Sequence, residues 1–327
     1  MNLRPAKSAP GAGPRKALPP GAATAISRGP LNLAGRTILV TGGTSGTGLA
    51  VAKTAHRLGA DVLIGSRSQA SYDEAAAHVG DGRVAPFIAD FADPASLEAA
   101  LDALELALNR PTDLVHCAAG GLEPLLRPLL RAAVALRRTE PGTERQAAIA
   151  RQQVELERLV KENAKTAFEV NNEGPRWLFE RLVPMMPDGG RLIAYSSLWS
   201  EGVRRGDCPA FYWSVAESKT QFEEWLDEAA HKWGARFSAA VLIGHLITDT
   251  SMGKLIDRNL VQFMAPEDVP PFRAGYINSE QAAEATMDAL TRRLEPGALR
   301  RFYLAGSATL TTTLDTTLMA VVGRMPL

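Results

Sequence analysis

The stretch "RTILVTGGTSGTGLAVAKTAHRLGA", residues 36–60, joins two patterns. An apolar run, Ile38, Leu39 and Val40, enters a glycine-rich turn; beyond it apolar positions recur at helical spacing until Gly59. A strand, a tight turn and an amphipathic helix follow from that pattern. Gly42, Gly46 and Gly48 stand where the backbone must turn sharply and approach a pyrophosphate closely. Open N–H groups and the dipole at a helix start favour such an anion. A glycine triplet alone is an ordinary turn; between a strand and a helix near a domain start, it points to a dinucleotide.

The same rhythm recurs downstream. "DVLIGSR", "RVAPFIADFAD", "TDLVHCAAG", "GGRLIAYSS", "RFSAAVLIG" and "RRFYLAG" read as further strands, with a helix expected over 96–108. Near-continuous apolar strands separated by helices predict a parallel sheet covered on both faces. The expected fold is α/β: a doubly wound Rossmann domain over residues 31–306, with about seven strands and right-handed crossovers. Residues 1–30, rich in Pro, Ala and Gly, read as a disordered tail, with an organelle-targeting segment the alternative. Residues 307–327 form a C-terminal extension. Two segments break the rhythm. Residues 122–165 read as a helical insertion divided at Pro141-Gly142, with a capping box from Thr143 to Gln146 opening its second helix. Residues 245–276 read as an irregular substrate loop; Met252, Phe263 and Met264 line an apolar pocket there or are plain core.

Composition narrows the partners. Lys plus Arg and Asp plus Glu number 36 each, so nothing favours a nucleic acid. Cys117 and Cys208 make no disulfide framework and no metal-ligand spacing surrounds them, so no metal is expected and a reducing, cytoplasmic setting is. No apolar run approaches the roughly 20 residues of a membrane helix.

Thr41, Thr44, Ser45 and Thr47 share the glycine turn and count as cofactor contacts with Gly42, Gly46 and Gly48. Ser66-Arg67 ends the second strand. A hydroxyl and a guanidinium there suit a 2′-phosphate, whereas an acidic residue would suit the free ribose of NADH, so NADPH is the expected cofactor and NADH the alternative. Asp90 can accept from an adenine amino group, or cap a helix.

Together these features resemble the short-chain dehydrogenase/reductase superfamily over residues 34–306. "TGGTSGTG" is similar to its TGxxxGxG loop, "HCAAG" at 116–120 to its Asn-Asn-Ala-Gly, with Cys117 replacing an asparagine, and "VNNEGP" and "GRLIAYSS" to its helix and strand motifs. The resemblance implies active-site roles for Asn171 and Ser197, and cofactor contacts from Asp90, Ala118 and Lys219. Most members carry Tyr-x-x-x-Lys, but Val215 occupies that tyrosine position. "YWSVAESK" instead resembles the enoyl-acyl-carrier-protein reductase branch, whose Tyr-x6-Lys spacing Tyr212 and Lys219 reproduce. On one continuous helix such residues lie about 20° apart around the axis and roughly 10 Å apart along it. Read singly, Tyr212 is a core aromatic beside Phe211 and Trp213, and Lys219 a solvated lysine on an amphipathic helix; their spacing together points to the catalytic reading.

The resemblance implies hydride transfer to a conjugated C=C, with Tyr212 donating to the developing enolate and Lys219 lowering the phenol pKa and binding the nicotinamide ribose. Ser197 would orient the carbonyl and Asn171 hold a water toward Lys219. Substrates would be small molecules or acyl thioesters. A ketoreductase and a non-catalytic dinucleotide binder are the rival readings, and a homo-oligomer stays open. The insertion's Arg127, Arg131, Arg137 and Arg138 form a solvated face or meet an acidic carrier.

Overall fold

The computed structural model describes residues 31–107 and 110–325; the tail expected over 1–30 lies outside them. The chain starts with β1 (Thr37–Thr41), α1 (Gly46–Arg57), β2 (Asp61–Ser66), α2 (Gln69–Val79), β3 (Val84–Ile88), α3 (Pro94–Leu106) and β4 (Asp113–His116). It continues through α4 (Glu123–Arg137), α5 (Thr143–Phe168), α6 (Gly174–Leu182), β5 (Gly190–Ser197), α7 (Leu198–Arg205) and α8 (Trp213–Trp233). β6 (Phe237–Gly244), α9 (Ser251–Asn259), α10 (Val269–Ala274), α11 (Ser279–Thr291), β7 (Leu299–Leu304) and α12 (Thr316–Val322) complete it.

All seven strands run parallel in the order β3-β2-β1-β4-β5-β6-β7, as the strand pattern predicts. β4 and β6 are buried at every position, which is why they read as unbroken apolar runs. Strand order reverses between β1 and β4, so a crevice opens there at the carboxyl ends of the strands. At the opposite edge buried Asp113 accepts from Arg36 Nε at 2.7 Å and from the Arg191 N–H at 2.9 Å, tying β4 to its neighbours.

Several local expectations change. α3 starts at Pro94 rather than residue 96, because Asp93 caps it by accepting from the Ala95 N–H and proline suits the first helical turn. The Thr143 capping box is absent: Gly142 is the N-cap, at φ +127°, a conformation glycine adopts without strain. α5 does not end with the insertion. It runs through a π turn, Glu169–Glu173, directly into α6, so insertion and Asn171 segment share one helical rod. The segment 245–276 is largely helical rather than irregular, built from α9, a 3₁₀ turn at Val261–Phe263 and α10. Met264 and Phe272 are buried in the core there, while Met252, Phe263 and Tyr276 pack half-buried against it.

The two segments foreign to the fold's rhythm meet. Arg137 Nη2 donates to Asn259 Oδ1 at 2.6 Å, and the Arg145 guanidinium lies 5.9 Å from the Phe263 ring centre. The extension past β7 also packs down: α12 contacts α7 and α10, Arg324 pairs with Asp268, and the Trp199 indole donates to Val322 O at 3.3 Å.

Candidate active site

The glycine turn takes the shape a pyrophosphate requires. Gly42 and Gly46 have φ of +63° and +50°. A Cβ on Gly42 would fall 2.9 Å from the Ala118 backbone, and one on Gly48 would fall 2.1 Å from Gly42 O. The backbone therefore packs too closely for any side chain. The first turn of α1 carries no acidic residue and its N-cap, Ser45, makes no side-chain cap, so the leading N–H groups remain open to an anion. Thr44, Ser45 and Thr47 are half-buried or exposed around them. These residues fit a dinucleotide. Thr41 serves otherwise: its buried hydroxyl bonds His116 Nδ1 at 2.9 Å and accepts from the Ala118 N–H at 3.4 Å, strapping β1 to the turn after β4.

At the end of β2, Ser66 Oγ donates to Ser68 O and accepts from the Ser68 N–H, so that hydroxyl is committed to its own turn. Arg67 is exposed beside it. Arg67 is thus the better placed of the pair for a 2′-phosphate. Asp90 is half-buried, with one carboxylate oxygen accepting from the Ala92 N–H at 2.9 Å. That turn aims the carboxylate, and Asp93, not Asp90, caps α3.

Asn171 sits in the π turn, and π turns recur at functional sites. Its Oδ1 accepts from the Gly120 N–H at 3.1 Å; its Nδ2 faces Gly120 O, Ala167 O and Ser218 Oγ at 3.0, 2.8 and 3.2 Å. This side chain clamps the turn after β4 onto α5 and α8, which leaves the amide engaged on the protein itself rather than on a water.

Lys219 is buried on α8, its Nζ donating to Tyr195 O at 3.3 Å. Burial pulls its pKa down to about 8, opposed by the negative charge of Glu223 and by Cys117. Burial likewise keeps His116 neutral, with a pKa near 3, among the rings of Phe91, Phe179 and Phe222. Cys117, beside Lys219, is a half-buried thiol pushed up to about 12.

Tyr212 differs from the helical expectation. A 3₁₀ turn, Ala210–Tyr212, follows Pro209, and Tyr212 is the N-cap of α8, outside its regular turns. The angle and rise computed for one continuous helix therefore do not apply, and among the described residues no hydrogen bond joins Tyr212 to Lys219. Tyr212 instead lies beside the side chain of Ser197, the last residue of β5 and the cap of α7, and its ring lies 4.5 Å from that of Trp199. Burial, with Cys208 adding to it, raises the phenol to about 12; the nearby Ser197 hydroxyl pulls it down. Its shift is upward, opposite to the lowering the resemblance implies.

Trp199, Cys208 and Glu223 also belong to this neighbourhood. Nothing in the local sequence of Cys208 marks it. Glu223, four residues after Lys219 and so on the same helical face, carried a positional hint. Two cavities, of about 290 and 380 Å³, lie on helix flanks, one between α5 and α8, the other between α3 and α6, and neither is lined by Ser197 or Tyr212. Among the described residues no group of three or more His, Cys, Asp or Glu could hold a metal, and no helix is long and apolar enough to cross a membrane.

Residues 36–136 match the short chain dehydrogenase family model. An uncharacterized oxidoreductase of Caenorhabditis elegans is 39% identical over 112 residues, 33% of this chain and 35% of the relative, so the match spans about a third of that protein. A dehydrogenase/reductase from Sinorhizobium meliloti 1021 superposes with TM-score 0.60 at 20% identity, covering 86% of this chain and 97% of that one. A short chain dehydrogenase from Shigella flexneri 2a str. 301, complexed with NADP, gives 0.60 at 17%, covering 84% and 99%. A ribose-5-phosphate isomerase from Brucella melitensis 16M gives 0.61 at 17%, covering 85% and 95%. Likeness of fold alone therefore does not select a chemistry. Over residues 36–136 the chain carries the short chain dehydrogenase sequence pattern, and over its described residues it has the seven-stranded fold of the solved dehydrogenase/reductases.

Proposed function

We propose that this chain is an NADPH-dependent oxidoreductase of the short-chain dehydrogenase/reductase superfamily that reduces the C=C bond of an α,β-unsaturated carbonyl or acyl thioester. The observation that carries the reading is the placing of Tyr212 beside Ser197 and Trp199 at the carboxyl end of β5, on the sheet edge that also bears the glycine turn. The glycine turn and Arg67 would hold a nicotinamide dinucleotide, which would supply the hydride. The chain supplies charge control. With its pKa near 12 the Tyr212 phenol keeps its proton at neutral pH, so it donates a hydrogen bond to the substrate carbonyl as negative charge builds there. Ser197, beside it, would orient that hydroxyl. Lys219, with a pKa near 8, is mainly an ammonium at pH 7 and lies beside Cys117 at the end of β4, from which it would hold the cofactor ribose.

The test mixes the protein with NADPH and a short enoyl thioester. Loss of absorbance at 340 nm with a saturated thioester product is expected, and Tyr212→Phe should lower kcat about 100-fold with little change in NADPH affinity. Full activity in Tyr212→Phe removes the proposed donor. A secondary alcohol from a keto substrate means carbonyl reduction instead. NADPH binding without turnover of either substrate leaves a dinucleotide binder.

A further inference from the structure

Glu223 is about 1% exposed on α8, one helical turn beyond Lys219 and on the same face. A buried carboxylate stays ionised only when partners compensate it. Here Oε2 accepts from Arg204 Nη2 at 2.9 Å and lies 3.6 Å from Arg301 Nε, and Oε1 accepts from the Ser196 hydroxyl. Ser196 Oγ also reaches Ser200 Oγ at 3.0 Å. Successive β residues point to opposite faces. Ser196 therefore reaches α8 while Ser197 reaches Tyr212.

The charges around this pair come from four elements. α8 contributes Glu223 and Glu224; α7 contributes Arg204, itself bonded to Glu201 at 2.9 Å; β7 contributes Arg301, with Tyr303 donating to Glu201 at 3.4 Å. The carboxyl end of β4 contributes neutral His116 and Cys117. The hydrogen bond Lys219 makes goes to the uncharged Tyr195 carbonyl. Glu223 is thus the anion acting on the Lys219 ammonium.

We propose that Glu223 is a positioning residue of the candidate site: its buried carboxylate keeps Lys219 charged through space and, through Ser196, sets the end of β5 from which Ser197 orients Tyr212. The proposal rests on reading Lys219 as the cofactor-side lysine, but its test needs no turnover. The protein is labelled with ¹³C-lysine, the Lys219 Cε signal is assigned by its loss in Lys219→Met, and its titration is followed by NMR. Glu223→Gln should lower the midpoint by at least about one pH unit. Glu223→Asp, which keeps the charge, should restore most of it. An unchanged midpoint in a folded Glu223→Gln protein overturns the proposal. Should that variant not fold, Glu223→Gln with Arg204→Met removes the unpaired guanidinium as well. Its midpoint is compared with that of Arg204→Met alone, and equality of the two is equally fatal. Absence of enoyl reduction would sink the proposed function and leave this result standing.

Discussion

His116 and His245 respond to acid together. Burial, complete for His116 and partial for His245, holds both neutral, at about 3 and about 4, His245 with Nε2 against Phe272 O at 3.1 Å. In the unfolded chain each returns to about 6.5. Below that value the unfolded state takes up protons that the fold refuses, so their contribution to stability is complete above about pH 6.5 and is lost as pH falls toward 4. From pH 7 to pH 5 the cost is about 2 kcal/mol for each histidine. Urea melts at the two pH values check this, and His116→Asn should flatten the slope by about half. Their positions at strand ends were plain in the sequence. Their burial was not, because Phe179 and Phe222 reach His116 from distant helices.

Among the elements, the rod formed by α5, the π turn and α6 does the most to shape the site. Its π turn brings Asn171 over the turn after β4, and α5 packs on the Ala210–Tyr212 turn that carries the candidate donor. Asn171→Ala leaves the Gly120 N–H and C=O without their partner, at a cost of about 1–3 kcal/mol. Hydrogen exchange of the peptide covering 117–122 should quicken at least tenfold while α1 and α11 stay protected. Unchanged exchange there would mean that the clamp does not hold the loop. The motif "VNNEGP" marked Asn171 in the sequence. That α5 runs unbroken into it was hidden, since Pro141-Gly142 was the visible break and no residue near 165 ends a helix.

Over the whole molecule, the C-terminal extension reaches back to the site. α12 lies against α7, the Trp199 indole donates to Val322 O, and the Trp199 ring packs on Tyr212. Truncation before Thr316 should release Trp199, shift tryptophan emission to the red and lower kcat roughly 10- to 100-fold through a misplaced donor. NADPH affinity should hold, because the glycine turn is built from β1, α1 and β4. A parallel fall in NADPH affinity would mean that the extension supports the fold at large rather than Tyr212.

The seven strands, their parallel arrangement and the glycine turn were legible because each rests on short-range rules: apolar runs of strand length, helical periodicity, and glycines where no Cβ fits. Arg67 and Asp90 stand just past β2 and β3, where the strand pattern put them. The rest depends on contacts between residues far apart in the chain. Pro209 and the 3₁₀ turn take Tyr212 off the helix that its spacing to Lys219 implied. Distant backbone at Gly120 engages Asn171, and Arg204 and Arg301 converge on Glu223 from α7 and β7. Packing sets the direction of a side chain and the state of its proton, and no local pattern encodes which elements will pack there.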